Sequence, residues 1–271
     1  MDLLNINTLE DLKFKDIKLA VDSLDISVLR EEDLKYLGNL IGNDKRKNVV
    51  SLIGKLERSY TKYKEENIRV RKLYDFDRQF GENIILAGVD EVGRGPLAGP
   101  IVAAAVVLDL KNLNDIILYI NDSKALSERK REELSEIIKK KAISYSISEA
   151  SNLEIDEKGI AYCNNKVFKE ACYSLNTKPD IVLSDGYMIK DFTIRNKSVI
   201  KGDAHSASIA CASIIAKVYR DNLMKKYHEV YPNYDFNNNS GYGTKKHIDG
   251  IKEYGITKIH RKSFLRNICE D

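Results

Sequence analysis

The chain has 271 residues, of which 43% are hydrophobic and 31% charged, and its formal net charge at pH 7 is +3. This composition predicts a folded chain with one sizeable core and excludes a wholly disordered protein. The sequence contains no apolar run of about 18 residues and no signal-peptide pattern at its start, so we expect neither a membrane span nor secretion. The four cysteines form no CxxC pair, which favours reduced thiols in a cytoplasmic protein.

The first part of the chain, residues 1–80, is predicted to be a small helical extension with unevenly distributed charge. Residues 1–43 have a net charge of −4, and residues 44–74 have a net charge of +6 from 10 basic and 4 acidic side chains. A basic segment beside a nearly neutral body favours a polyanionic partner. A solvated basic helix face explains the same charge, and both interpretations stay open.

Within this extension, apolar side chains at steps of three and four residues predict one packed helix face. They are Val49, Ile53, Leu56, Tyr60 and Tyr63. Asp44 is the expected N-cap of the helix. Basic residues alternate with the apolar stripe and are candidates for contact with a phosphate backbone: Lys45, Arg46, Lys47, Lys55, Arg58 and Lys62.

From about residue 84 the pattern changes to strands that alternate with helices. Apolar runs between glycine and proline predict buried strands at residues 84–89, 101–110, 145–150 and 181–183. We expect one helix to begin after an N-cap at Ser127, and others to span residues 154–176 and 207–227. The alternation predicts an α/β domain over residues 81–271.

Acidic residues lie at the ends of these predicted strands. Asp90 and Glu91 follow the first run, Asp185 ends a later strand, and Asp203 precedes the long helix. Strand ends in an α/β fold form one crevice, so we expect these carboxylates to converge. Clustered carboxylates repel one another unless a cation compensates, and Mg²⁺ or Mn²⁺ suits a set of oxygen ligands. Each acid taken alone is equally well explained as a turn or cap residue.

Two of these positions raise a question of geometry. Asp203 precedes a helix, and the positive end of that helix favours the ionised carboxylate. Asp90 and Glu91 are neighbours on a strand, so their side chains point to opposite faces. Glu91 therefore reaches the crevice from the strand end, through a twist, or through its backbone carbonyl, and the sequence leaves the three routes open.

The glycine-rich segment at residues 93–99 resembles nucleotide-binding loops but fails their requirements. Its spacing is GxGxxxG, and a strand follows it where a dinucleotide loop opens a helix. It also lacks the Gly-Lys-Ser/Thr of a P-loop. Glycines do allow a backbone to approach a sugar closely, and an arginine can meet a phosphate. A 2′-hydroxyl is the group that distinguishes RNA from DNA at such a surface.

Several motifs occur in one order along the chain. They lie at residues 87–100 (AGVDEVGRGPLAGP), 122–127, 184–186 (SDG), 201–206 (KGDAHS), 212–221, 241–247 (GYGTKKH) and 260–264 (HRKSF). With these motifs the chain resembles the bacterial ribonuclease HII family over residues 84–267. The related ribonuclease HIII proteins carry Gly-Lys-Gly in the first motif, so Arg94 favours HII.

The resemblance implies an RNase H-like fold, in which helices flank a mixed β-sheet and the catalytic domain, residues 81–271, includes a helical C-terminal region. It implies an endonuclease that hydrolyses the RNA strand of RNA–DNA hybrids by two-metal-ion catalysis. Such an enzyme also cuts 5′ of single ribonucleotides in duplex DNA and leaves 3′-hydroxyl and 5′-phosphate ends. The expected partners are these nucleic acids and no membrane, and we expect a monomer.

The resemblance also implies the residues of the site. The expected catalytic residues, which are also the ligands of two Mn²⁺ or Mg²⁺ ions, are Asp90, Glu91, Asp185 and Asp203. By analogy, Asp90 bridges the ions, Asp185 and Glu91 complete one site, and Asp203 holds the ion nearer the attacking water. The expected substrate-binding residues are Gly93, Arg94 and Gly95, which sense the 2′-hydroxyl, Tyr242, which packs on the neighbouring deoxyribose, and Lys124 and Lys201, which contact phosphates.

Residues near these motifs also have purely structural interpretations. Small residues of the long helix, Ala212, Ser213 and Ala216, are expected to allow close packing. Asp221 is as well explained by a salt bridge as by a ligand role, and Lys217 by a charge on the helix surface. Tyr242 is alternatively explained as a residue that anchors a loop.

Two other functions compete with the nuclease. The first is a non-catalytic module that binds RNA–DNA hybrids mainly through the basic helix. The intact set of acids argues against it, because a pure binder would gain from neutralising them. The second is another RNase H-like phosphotransferase, such as a resolvase. The Gly-Arg-Gly loop argues against this function. For the nuclease, residues 44–74 are predicted to strengthen duplex binding and to be dispensable for chemistry.

Overall fold

The structure of the protein, a computed structural model, describes residues 8–81 and 83–265. Its helices are α1 (Phe14–Asp22), α2 (Glu31–Gly42), α3 (Lys47–Arg78), α4 (Glu128–Lys141), α5 (Asn152–Lys158), α6 (Ile160–Tyr173), α7 (Ala207–Val230), α8 (Phe236–Asn239) and α9 (Lys245–Tyr254). Its strands are β1 (Leu86–Val92), β2 (Ile101–Val107), β3 (Ser144–Ala150), β4 (Ile181–Asp185) and β5 (Arg195–Val199). In these two ranges, every helix is too short or too polar to cross a membrane.

The chain divides into two compact units, Met1–Arg69 and Val70–Asp271. The boundary between these units lies earlier in the chain than the domain boundary at residue 80 that the sequence predicts. The last turns of α3 account for the difference, because Val70, Leu73 and Tyr74 are buried in the core of the second unit. The end of the predicted extension is therefore part of the larger unit.

The unit Met1–Arg69 has an apolar core of its own, to which α1, α2 and the first part of α3 contribute. Val49, Leu56 and Tyr60 are buried in it, and Ile53 packs against it. These contacts confirm the predicted helix face. Tyr63, at the end of the predicted stripe, remains partly exposed.

The predicted N-cap of α3 is wrong. The helix begins at Lys47, so the N-cap position falls on Arg46. Asp44 instead accepts a hydrogen bond at Oδ1 from the backbone N–H of Arg46, at 2.8 Å. An aspartate closes a turn two residues ahead as readily as it caps a helix, and the sequence pattern did not separate the two. The guanidinium of Arg46 also pairs with the same carboxylate, at 2.6 Å.

The larger unit is built on a mixed sheet with strand order β3-β2-β1-β4-β5. β1 pairs antiparallel with β2 and parallel with β4, and β4 pairs parallel with β5. The α/β class, the mixed sheet and the first four strands agree with the sequence predictions. The prediction missed β5, because Arg195–Val199 is mostly polar and forms a partly exposed edge strand.

Side chains of the central strands alternate between two apolar layers, as the period of a strand requires. Val102, Ala104 and Val106 of β2 pack with α4 and α7 on one face. Ile101, Ala103 and Ala105 pack with α6 on the other. The small alanines let helices lie close to both faces, so the sheet is covered on each side.

The helix predictions for the larger unit are mostly confirmed. Ser127 caps α4, and its Oγ accepts a hydrogen bond from the N–H of Lys130 at 3.4 Å. The long helix α7 spans Ala207–Val230. The single helix predicted over residues 154–176 is wrong, because it is two helices separated at Gly159. Gly159 has a φ of +82°, which an ordinary helical residue does not adopt.

The start of α7 lies directly against β1. A Cβ at Gly88 would lie 2.2 Å from the backbone carbon of Ser208 and 2.3 Å from the nitrogen of Ile209. Only a glycine permits this approach of strand and helix. Gly88 therefore sets the distance between β1, which carries Asp90, and the helix that follows Asp203.

A buried carboxylate, Asp77 in the last turn of α3, also holds the start of α7. Its Oδ2 accepts a hydrogen bond from the backbone N–H of Ser208 at 2.8 Å. The residue is fully buried, and its Oδ1 has no hydrogen-bond partner among the described residues. Burial raises the pKa of Asp77 to about 6, because a charge is costly away from water.

We expect Asp77 to make stability depend on pH. The folded protein retains a proton at Asp77 that the unfolded chain releases at lower pH, so this contribution is complete below about pH 4 and lost as pH rises through about 6. Asp77→Asn should remove this loss of stability. The difference in the free energy of unfolding between the variant and the unsubstituted protein should therefore change by on the order of 3 kcal/mol between pH 4 and 7. Urea unfolding across this range measures it.

The exposed neighbour Asp75 on the same helix provides the control. Asp75→Asn removes an equal charge without burial, so its stability difference should vary little over the same pH range. A pH-independent difference for Asp77→Asn would contradict the expectation.

Candidate active site

The four predicted acids come from three neighbouring segments of the larger unit. The parallel pairing of β1 with β4 ends at Val89 and Ser184, and Asp90 and Asp185 are the next residues on the two strands. Asp203 lies in a short 3₁₀ turn, Gly202–Ala204, that follows β5. The N–H of Gly202 donates to Oδ1 of Asp185 at 2.6 Å, which fixes this turn beside the end of β4.

Asp90 is the most buried of the four acids, with 6% of its surface exposed. Its Oδ1 accepts a hydrogen bond from the backbone N–H of Glu91 at 2.7 Å. The hydroxyl of Ser213 on α7 acts to lower the pKa of Asp90 and donates a hydrogen bond to Ser123 Oγ at 2.9 Å. Asp90 is thus tied to α7 and to the segment that carries Asp122 and Lys124.

Glu91 lies inside β1, where it pairs with Ala103 of β2, and beyond the last residue of β1 that pairs with β4. Its carboxylate lies 3.7 Å from the guanidinium of Arg94. The charges of Asp185 and Lys124 also act on it.

Burial and mutual repulsion raise the pKa of three of these acids. Burial is the largest cause for Asp90, whose pKa lies well above its ordinary value, and Glu91 and Asp185 add to the effect. Burial raises the pKa of Glu91 to about 7, against the opposing charge of Arg94. Burial and then Asp185 raise the pKa of Asp203. The helix end was expected to favour ionised Asp203, but burial and like charges act in the opposite direction on its pKa.

This donor set fits a hard divalent cation. The ligands are carboxylate oxygens, which Mg²⁺ and Mn²⁺ prefer, and their mutual repulsion is what a bound cation relieves. Within residues 8–81 and 83–265, however, no three His, Cys, Asp or Glu side chains are arranged closely enough to form a finished metal cage. The charges of the acids therefore influence one another, but their carboxylates are not spaced as the ligands of a bound ion would be.

The glycine-rich segment beside the acids is held from behind by two buried arginines. Arg261 donates from Nε to Gly99 O (2.9 Å), from Nη1 to Arg94 O (3.0 Å) and from Nη2 to Gly93 O (2.6 Å). Arg220 of α7 donates to Pro100 O (2.9 Å), Ser240 O (2.8 Å) and Ala98 O (3.1 Å). All six hydrogen bonds end on main-chain carbonyl oxygens, so the two guanidinium groups fix the path of the loop.

Both arginines are fully buried, at 0% exposure. Desolvation lowers the pKa of Arg220 to about 10 and that of Arg261 to about 9, so both remain charged at neutral pH. Gly93 is required at this point, because its φ is +96° and a Cβ there would lie 2.3 Å from Nε of Arg220. The first glycine of the Gly-Arg-Gly motif is thus explained by packing against an arginine.

Of the other predicted substrate-binding residues, Tyr242 lies beside this loop, Lys124 acts on the acids, and Lys201 precedes the turn that carries Asp203. Tyr242 lies beside Gly95, since a Cβ at Gly95 would be 3.7 Å from its ring. Lys124 is exposed, and its charge acts on Glu91 and Asp203. Lys201 is exposed and has a left-handed φ of 52° next to Gly202, but its charge is not among the main influences on these acids.

The residues with alternative interpretations are now assigned by their contacts. Asp221 pairs with Lys217 at 2.7 Å and accepts a hydrogen bond from Ser240 Oγ at 2.8 Å, so it is a salt-bridge residue. Ala212 and Ala216 are buried in the core, as expected. Ser213 does more than pack, because its hydroxyl donates to Ser123 and acts on the pKa of Asp90.

Sequence reasoning missed the roles of Arg220, Arg261 and Asp77. All three are charged residues that are fully buried, whereas charged residues are ordinarily exposed. Arg220 and Arg261 lie inside the motifs at residues 212–221 and 260–264, which was the available signal. No pattern in the sequence marked Asp77.

Residues 87–267 match the sequence profile of the family described as Ribonuclease HII. The Ribonuclease HII of Clostridium perfringens (strain SM101 / Type A) is 62% identical over 260 residues, which cover 96% of each chain. That of Clostridium beijerinckii is 60% identical over 262 residues, which cover 96% of this chain and 97% of the relative. These matches extend over most of the N-terminal unit as well.

Solved structures with the same fold include two archaeal proteins. The ribonuclease H2 of Pyrococcus horikoshii OT3 has a TM-score of 0.58 and 29% identity, and the match covers 68% of this chain and 96% of that chain. The protein in the PCNA:RNase HII complex from Archaeoglobus fulgidus has a TM-score of 0.57 and 29% identity, over 69% of this chain and 98% of that chain.

The mixed sheet and its converging carboxylates define a nuclease of the RNase H-like fold, a class that hydrolyses phosphodiester bonds with the help of divalent metal ions. The chain belongs to the ribonuclease HII family. It is therefore a metal-dependent endonuclease that acts on RNA–DNA hybrids.

We expect Arg261→Lys to destabilise the protein strongly. A lysine has one ammonium group and cannot reach three carbonyl oxygens in the fork geometry of a guanidinium, so buried acceptors lose their partners. The free energy of unfolding should fall by roughly 2–4 kcal/mol, measured by urea denaturation.

Arg129→Lys is the matched control, because Arg129 is an arginine whose side chain is 91% exposed. Its substitution should leave stability nearly unchanged. Equal stabilities for the two variants would show that the buried hydrogen bonds of Arg261 do not hold the loop.

Proposed function

We propose that the protein cuts duplex DNA immediately 5′ of a single embedded ribonucleotide, leaving a 3′-hydroxyl and a 5′-phosphate. The catalytic acids are Asp90, Glu91, Asp185 and Asp203. The substrate is recognised by Gly93, Arg94, Gly95, Tyr242, Lys124 and Lys201. The observation that carries the proposal is the position of a rigid Gly-Arg-Gly loop directly beside the carboxylates.

The four acids are proposed to hold two Mg²⁺ or Mn²⁺ ions. When bound, such ions supply Lewis acidity and charge neutralisation at the phosphodiester. The acids' raised pKa values and mutual repulsion support this assignment, because cations offset both. Ion binding is expected to draw the carboxylates together from their present spacing.

The chain's own residues orient the substrate. Arg261 engages the carbonyl oxygens of Gly93 and Arg94, so we expect the opposite edge of these peptides to face the 2′-hydroxyl. The Arg94 guanidinium, partly exposed above Glu91, is suited to a phosphate oxygen. Tyr242 presents a partly exposed ring for the neighbouring sugar.

A cleavage assay tests the proposal directly. Three labelled duplexes are compared with Mg²⁺ or Mn²⁺: DNA with one ribonucleotide, a continuous RNA–DNA hybrid, and all-DNA. We expect a cut 5′ of the single ribonucleotide, with all-DNA intact. Cleavage of the hybrid alone would remove the single-ribonucleotide activity from the proposal and keep the family activity.

Asp90→Asn tests the assignment of the acids. It should lower kcat by at least about 100-fold, because removing a buried charge at the reacting phosphate removes stabilisation of the transition state. Asp221→Asn is the control, since Asp221 is also a partly buried carboxylate of this unit but pairs with Lys217. Full activity of Asp90→Asn would refute the assignment, and tight hybrid binding without any cleavage would favour the binding module.

We propose that the basic part of the N-terminal unit strengthens binding to the duplex backbone. The structure narrows the residues that suit this role. Arg46 and Lys55 are paired with Asp44 and Asp22, so their charges are partly neutralised within the unit. The remaining candidates are exposed, with Lys45 just before α3 and the others on it: Lys45, Lys47, Arg58 and Lys62.

Replacing these four residues by glutamine in the full chain should raise KM several-fold, weaken the salt dependence of binding and leave kcat unchanged. Substitution is preferable to deleting residues 1–80, because Val70–Arg78 belongs to the larger unit. The control removes four exposed lysines from the acidic part of the same unit: Lys13, Lys15, Lys18 and Lys35. Equal effects of the two variants would exclude a specific basic face.

We also propose that the protein acts as a monomer in the cytoplasm. Cys163, Cys172 and Cys211 are free and buried, which suits a reducing compartment.

A further inference from the structure

The turn after Asp185 places an exposed aromatic residue beside the candidate active site. Gly186 has a left-handed φ of +65°, and the N–H of Tyr187 donates to the carbonyl of Asp185 at 2.6 Å. The side chain of Ser184 also donates to the carbonyl of Tyr187. These hydrogen bonds tie the backbone of Tyr187 to the end of β4, so its position is set by the strand that carries a catalytic acid.

The ring of Tyr187 lies against the guanidinium of Arg94. The central carbon of that group is 4.2 Å from the ring centroid, well inside the distance of about 6 Å at which a cation and a ring attract. Nη1 of Arg94 also lies 3.7 Å from Oε1 of Glu91. Arg94 thus contacts both an aromatic ring and a carboxylate.

This arrangement leaves the donors of Arg94 available. A ring engages the flat face of a guanidinium, whereas its N–H groups lie in the plane and point outward. The distance of 3.7 Å to Glu91 is an ion pair without a short hydrogen bond. The ring therefore restricts the plane of Arg94. Within residues 8–81 and 83–265 its guanidinium N–H groups make no hydrogen bond, so they are open to a phosphate or sugar oxygen.

We propose that Tyr187 is a positioning residue for substrate recognition, whose ring fixes the Arg94 guanidinium toward the sugar-phosphate backbone at the ribonucleotide. The inference rests on the proposed function and deepens it. Tyr187 and Tyr242 then flank the Gly93–Gly95 loop, one through Arg94 and the other beside Gly95. The recognition surface is an arginine and a glycine loop between two tyrosines.

The chain contains a matched control for a tyrosine that only covers a surface cation. Tyr162 on α6 is 53% exposed, the same fraction as Tyr187. The ammonium group of Lys158 lies 5.4 Å from its ring. Tyr162 has a similar local contact, but α6 covers the opposite face of the sheet from α7.

The experiment compares Tyr187→Ala, Tyr187→Phe and Tyr162→Ala with the unsubstituted protein. Steady-state cleavage of duplex DNA with one ribonucleotide gives kcat and KM. Fluorescence anisotropy with the same labelled duplex in EDTA gives Kd without metal or chemistry. We expect Tyr187→Ala to raise KM and Kd about five-fold with kcat nearly unchanged, because one aromatic–cation contact is lost. Tyr187→Phe and Tyr162→Ala should behave like the unsubstituted protein.

Arg94→Ala provides the second test. If Tyr187 acts through Arg94, adding Tyr187→Ala to Arg94→Ala should weaken binding no further, as expected for two residues in one interaction. Additive losses would overturn the inference, as would an unchanged Kd for Tyr187→Ala. Equal losses in Tyr187→Ala and Tyr187→Phe would also overturn it, because the ring would not be what matters.

A structural role for Tyr187 and a failure of the proposed function each give a distinct result. A fall in kcat and thermal stability without a change in Kd would show that Tyr187 only supports the fold, and it would overturn the inference. If the unsubstituted protein does not cut the single-ribonucleotide duplex, the proposed function fails. The anisotropy measurements on the same duplex still decide whether Tyr187 positions Arg94.

Discussion

Two buried guanidinium groups hold the part of this protein that meets its substrate. Arg220 and Arg261 together donate hydrogen bonds to five carbonyl oxygens of residues 93–100 and to that of Ser240. Burying two such charges is costly, and main-chain dipoles together with fork-shaped donor geometry offset the cost. The Gly-Arg-Gly loop keeps one shape as a result, although its glycines would otherwise leave it free. The acids of β1 and the pairing of Tyr187 with Arg94 all depend on that shape.

The carboxylates oppose this stabilisation. Asp90, Glu91 and Asp203 are partly or fully removed from water, and the charge of Asp185 acts on all three, so each is harder to ionise than a free carboxyl group. Such a cluster lowers stability in the absence of a cation. The close contact of β1 with α7 at Gly88 and the serine pair Ser123–Ser213 keep the acids in place against this repulsion. The site is thus a strained region supported by rigid neighbours.

The sequence predicted the first four strands, the long helix and the place of each acid at a strand end or before a helix, because apolar periodicity and local motifs record them directly. It did not predict β5, whose polar edge strand has no apolar signal, or the break at Gly159 inside an otherwise helical stretch. The sequence also did not predict which charged residues are buried in the interior. Arg220, Arg261 and Asp77 are buried through partners more than 100 residues away, and such partners leave no local pattern. The raised pKa of Asp203 depends in the same way on neighbours from other segments.

The contact between Asp77 and Ser208 joins residues separated by 131 positions, and that between Gly93 and Arg261 joins residues separated by 168. Contacts of this span require a large loop of chain to close before they give any stabilisation, and they slow folding. During synthesis, α3 and β1 emerge long before α7 and the segment around Arg261. The central hairpin of β1 and β2, with local pairing, is free to form early. We therefore expect the arginine-held loop to be among the last parts to take its final shape, because the chain must reach Arg261 before the loop has its partners.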